Sequence, residues 1–118
     1  MNKKVFTGGQ VVLPDSVVTA SLVVEGEKIA GLLLPGIRLG SEYEEIDVSG
    51  KVLMPGVIDS HVHMWDPSPQ NYREDWRHGS QCAASGGITT IVDMPLSVPP
   101  VVNEEGFRIK HELASRES

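Results

Sequence analysis

Lys51-Val52-Leu53-Met54-Pro55-Gly56-Val57-Ile58-Asp59-Ser60-His61-Val62-His63 is where the chain changes character. Pro55-Gly56 is a turn pair, and residues 57–63 read as a strand that begins apolar and ends in two histidines. Side chains on a strand alternate faces with period two. His61 and His63 are therefore expected on one face, with Asp59 joining them. Two imidazoles on one face at a strand end suit a divalent metal. A bare His-x-His pair also arises by chance on solvated surfaces. The apolar Val57-Ile58 before it and the loop after it favour a built site here.

Downstream, residues 66–72 form a polar, proline-containing loop. Residues 74–85 can form a helix with Trp76, Cys82 and Ala83 toward one side and Gly86-Gly87 as its stop. Ile88–Asp93 is a β-branched strand. Pro95, Pro99 and Pro100 punctuate a second loop. Asn103 is placed to cap a last helix, with Glu104 and Glu105 favourable to its dipole. That helix reaches the chain end without a stop signal. The order β-loop-α-β-loop-α predicts βα units on a parallel sheet. Two such units cannot close a (β/α)8 barrel, which takes about 250 residues. The open helix favours the N-terminal piece of something larger over a small open α/β domain. His78 and His111 fall on helices and read as solvated.

Upstream, residues 1–52 read as β. Gln10–Leu13, residues 16–25, residues 28–34 and residues 45–48 are short strand runs broken by Gly and Pro, which suggests a small sheet or half a sandwich. Glu42, Glu44 and Glu45 read as solvated loop charges. The fold class is thus α/β: an N-terminal β-sandwich segment over 1–52, then two βα units over 53–118.

Composition sets the outer limits. The chain has 118 residues, with 10 Lys and Arg against 16 Asp and Glu, a net charge of −6. That balance argues against nucleic acid as a partner. Hydrophobic residues at 40% exclude disorder by composition, and aromatics at 5% leave the core to aliphatics. One cysteine, Cys82, excludes an internal disulfide and a cysteine-only zinc site. It reads as a small buried residue. No apolar run approaches the roughly 18 residues of a membrane span, and the first residues lack a secretory apolar region. A cytoplasmic protein with no membrane partner is expected.

The run from Ile46 to His63, with Pro55, Gly56, Asp59, His61 and His63 in register, resembles the barrel entry of the amidohydrolase superfamily. Gly79, Ala83, Ala84, Gly86, Gly87, Thr89, Thr90 and Asp93-Met94-Pro95-Leu96 extend the likeness to its cyclic amidase branch, which holds dihydroorotase, hydantoinase and allantoinase. The resemblance implies a metal-dependent (β/α)8 barrel preceded by a β segment. It implies two divalent metal ions, zinc first and Co, Mn, Fe or Ni as alternatives, bridged by a carboxylated lysine outside this chain. His61 and His63 are then ligands of the more buried ion. Lys110 lies in a helix and is not that lysine. The implied partner is a small cyclic amide or ureide, and the complete protein is implied to be a homo-oligomer, a tetramer.

Within the branch the likeness is strongest to allantoinase. Dihydroorotases usually carry an arginine two residues after the second histidine, to hold a substrate carboxylate; here Trp65 stands there and cannot supply the charge. Asp93-Met94-Pro95-Leu96 followed by Pro99-Pro100 is allantoinase-like. Trp65 and Ser97 replace asparagines common in that family, and Asp66 replaces a glutamate while keeping the charge. Asp59, Trp65, Asp66, Asp93 and Ser97 are therefore candidates for supporting or substrate-loop positions, with loop tethering expected for Asp93. No catalytic residue is assigned within the chain, and the 118 residues alone are expected to be inactive. The alternatives are a dihydropyrimidinase or hydantoinase, a dihydroorotase, a non-catalytic scaffold of the same ancestry, and a short metal-binding module.

Overall fold

A computed structural model describes residues 2–118. The chain divides into two compact units, the first ending at Pro55 and the second running from Gly56 to Ser118.

The first unit is all β. Its strands are β1 Lys3–Thr7, β2 Gln10–Leu13, β3 Ser16–Thr19, β4 Ser21–Glu25, β5 Lys28–Leu33, β6 Glu44–Asp47 and β7 Val52–Leu53. They form two sheets, ordered β5-β4-β1-β6 and β3-β2-β7. Three features differ from the sequence expectation. Residues 16–25 are two strands in different sheets, divided at the buried Ala20. The lysine-bearing start is a strand, β1, which lies between β4 and β6. Its charges are matched across the sheet, Lys3 to Glu25 at 3.8 Å and Lys4 to Glu44 at 3.7 Å. Glu44 joins Glu45 of the expected 45–48 run as a strand residue of β6, and both are exposed charges on a strand, not in a loop. Val5 faces Val23 across the β1–β4 ladder, and both are buried, as are Val11 and Val48. Small β-branched side chains fill this core because the pleated surface suits them.

The second unit is built on β8 Val57–Val62 and β9 Ile88–Asp93, which pair in parallel. Parallel neighbours need a crossover, and helix α1 Trp76–Ser85 provides it. Helix α2 Glu104–Glu117 follows β9. Helix α1 begins two residues later than residue 74 because Asp75 takes the cap position and accepts the His78 N–H at 2.7 Å. Asn103 caps α2 by accepting the Gly106 N–H at 2.9 Å. Gly87, at φ 83°, lets the chain leave α1 for β9. Among the described residues, no helix is long and apolar enough to cross a membrane.

The core of this unit is small and unusual. Met64 is 3% exposed, Trp76 8% and Lys110 5%. Gly79 of α1 is bare where Met64 packs, for a Cβ there would stand 2.6 Å from the Met64 sulfur. Cys82 corrects the expectation of a buried thiol, being free and exposed.

Two predictions follow from these contacts. Gly56 has no positive φ, so its role is closeness: a Cβ at this position would overlap the Thr89 side chain of β9. Gly56→Ala is expected to lower stability by about 1–3 kcal/mol in urea unfolding; an unchanged midpoint would contradict the packing of β8 on β9. The second concerns the Asp75 cap. The His78 backbone N–H, and after it the His78 ring, hold the Asp75 carboxyl below its ordinary value of 3.8. A lowered folded value adds stability above the unfolded value and loses it as pH falls through the folded one. Asp75→Asn keeps an acceptor without the charge. Its melting temperature should lie below the wild type at neutral pH and converge on it below about pH 4; a gap independent of pH would contradict the assignment.

Candidate metal centre

His61 lies within β8 and His63 immediately past its end. Between the Asp59–Ile91 and Val62–Asp93 pairs, β8 advances three residues while β9 advances two. The strand therefore bulges at Ser60 and His61, a device that re-aims side chains at sites. The simple alternation of the sequence is modified there, yet the two imidazoles still meet. Their rings stand edge to face, centroids 5.0 Å apart at 75°, with the two Nε2 atoms 3.2 Å apart. Two nitrogens each about 2.0–2.1 Å from a tetrahedral zinc stand about 3.3 Å from each other. The pair already has the spacing of two ligands on one cation. The same spacing suits a hydrogen bond between the rings, with roles set by tautomer.

A ligating imidazole needs its second nitrogen oriented by an acceptor. His63 Nδ1 is buried and has no partner among the described residues. Nor, among them, do three His, Cys, Asp or Glu side chains gather as a ligand set. The donor chemistry of His61 and His63 fits a divalent metal, and the chain offers two ligands to it.

The other candidate residues differ in what they touch. Asp59 accepts the His61 backbone N–H at 3.1 Å, so its carboxylate braces the bulge. Trp65 is brought beside the pair, its ring 6.1 Å from that of His63. The Arg73 guanidinium lies 5.4 Å from the Trp65 ring, a cation–π distance. Asp66 and Ser97 bond within their own loops. Asp66 accepts from the Asn71 amide at 3.1 Å, and the buried Ser97 hydroxyl donates to the Pro99 carbonyl at 2.9 Å. The two loops are joined where the Val98 N–H meets the Pro67 carbonyl at 2.6 Å. His78 pairs with Asp75, and His111 stacks on Phe107; both are exposed and away from any ligand set.

Asp93 acts through the backbone. One oxygen accepts the Met64 N–H at 2.7 Å, and the other lies 2.5 Å from the Lys110 ammonium. Lys110 also donates to the carbonyls of Met64 at 3.0 Å and Met94 at 3.1 Å. Sequence reasoning gave Lys110 no part in the site. The available signal was its place in the row Gly106, Lys110, Leu113 and Ala114, at the three-to-four spacing of the inward face of α2. A lysine in such a row needs a buried partner.

The sequence profile of the Amidohydrolase family matches residues 52–108. The chain is 47% identical over 75 residues to a dihydroorotase of Methanothermobacter thermautotrophicus, covering 64% of this chain and 17% of the relative. It is 34% identical over 111 residues to an allantoinase of Escherichia coli, covering 93% of this chain and 24% of the relative. Among solved structures, an L-hydantoinase (dihydropyrimidinase) from Arthrobacter aurescens superposes with a TM-score of 0.82 at 31% identity, over 97% of this chain and 25% of that one. The chain thus spans about a quarter or less of the length of these relatives.

Proposed function

The chain belongs to the amidohydrolase family, in its cyclic amidase branch, and from that premise we propose that it supplies the β segment and the first two βα units of a metal-dependent (β/α)8 hydrolase of cyclic amides, with allantoin as the substrate. The observation that carries this reading is the convergence of His61 and His63 at 3.2 Å, just where a parallel strand ends. Barrel enzymes keep their sites at the C-terminal ends of their strands. A divalent cation held by this pair supplies Lewis acidity toward a ring carbonyl.

The chain's own residues do the positioning. His61 and His63 hold the cation; Asp59 braces the bulge that aims His61. Trp65 forms a flat wall beside His63 against which a planar ring can stack. Asp66 and Ser97 shape the two loops that border the site, each through a bond inside its own loop.

Allantoin is favoured over dihydroorotate because Trp65 occupies the place of a carboxylate-binding arginine and because of the Asp93-Met94-Pro95-Leu96 run. One observation favours a dihydroorotase instead. Arg73 stacks on Trp65 and brings a guanidinium back beside the site, where it could pair with a carboxylate.

A substrate panel on the complete polypeptide that carries this chain separates the two. Allantoin is expected to turn over faster than dihydroorotate, hydantoin or dihydrouracil, and His61→Ala is expected to cost at least about 10²-fold in turnover. Faster turnover of dihydroorotate would overturn the allantoin assignment and leave the branch. Full turnover in His61→Ala would overturn the ligand assignment.

A further inference from the structure

Three backbone hydrogen-bonding groups flank His63, and all are fixed by the end of β9 or by α2. The Val62 carbonyl accepts the Met94 N–H at 2.9 Å. The Met64 N–H donates to Asp93, and the Met64 carbonyl accepts from Lys110. Lys110 spends its three donors on the Asp93 carboxylate, the Met64 carbonyl and the Met94 carbonyl. The side chains of Lys110 and Asp93 are only 6% and 12% exposed.

Helix α2 would dock on the strands at least as well through a methionine or leucine at position 110, since a buried ion pair is seldom the more stabilising choice. What the ion pair adds is direction. Charge-assisted hydrogen bonds in a dry setting are short and oriented, and here they converge on the residue that follows His63. We infer that Asp93 and Lys110 are positioning residues, which fix the peptide planes on either side of Met64, the first of them joining it to His63, and so hold the His63 Nε2 against that of His61. The inference rests on the metal-binding reading of that pair.

Two readouts on the complete polypeptide keep the inference and the reading apart. The first needs no metal: mapping, by peptide mass, how fast diethyl pyrocarbonate modifies His61 and His63 in chelator-treated protein. In the wild type the half-buried His63 should react more slowly than the exposed His61. In Lys110→Met, and in Asp93→Asn combined with Lys110→Met, His63 should react as fast as His61. The double variant matters because it leaves no lone buried charge if Lys110→Met fails to fold. Arg108→Gln, which breaks the exposed pairs to Glu105 and Glu112 on the same helix, should change nothing.

The second readout is cobalt binding, by visible absorption and chelator competition. The double variant should bind about 10–100-fold more weakly and with a shifted band. A folded double variant with wild-type histidine reactivity, or with wild-type cobalt affinity and spectrum, would overturn the inference. So would failure of both variants to fold, because the pair would then serve the unit as a whole. If His61→Ala leaves cobalt binding unaltered, the metal reading fails, while the histidine mapping still decides the positioning.

Discussion

Parallel pairing of β8 with β9 is the constraint from which the second unit follows. Two parallel neighbours must be joined by a crossover, so α1 exists to carry the chain back. Parallel strands also finish on the same side. That places His63, at the end of β8, and Asp93, at the end of β9, together, along with the loops that leave them. The candidate site gathers at that edge because the sheet delivers two strand ends and two loops to one place. Gly56 marks the other end of the same pairing, where only a hydrogen fits against Thr89.

Charges in the unit divide by surroundings. Arg108 pairs with Glu105 and Glu112 at 2.7 Å each, and those carboxylates raise its already high pKa. All three side chains are exposed, so water and salt screen the pairs and leave them little weight. Lys110 and Asp93 make the opposite case. Removed from water, neither tolerates the loss of the other, and both bind backbone groups next to a candidate ligand. The short distance of a surface pair is therefore no guide to importance; burial decides.

Much of the second unit was legible because its signals are local. The β-branched run 88–93, the Asn103 cap and the histidines two apart each announce themselves within a few residues. What was not legible depends on pairing across the chain. β1 was not singled out as a strand because its lysines make sense only opposite Glu25 and Glu44. β7, two residues long, is a strand only because β2 lies beside it. The bulge at Ser60 and His61 comes from register with β9 and leaves no trace in residue types. Cys82 resembled its small neighbours, yet its thiol is exposed. Lys110 combined both problems, a charge on an inward row whose partner lies 17 residues earlier in sequence at Asp93.

The central claim is that His61 and His63 are two ligands of one cation. X-ray absorption on the zinc-loaded complete polypeptide tests it most directly, compared with a variant carrying both His61→Ala and His63→Ala. The account predicts that the wild type shows imidazole nitrogens at about 2.0–2.1 Å from zinc, and that the double variant loses two of them or loses the metal. Full zinc content with unchanged imidazole scattering in the variant would contradict it.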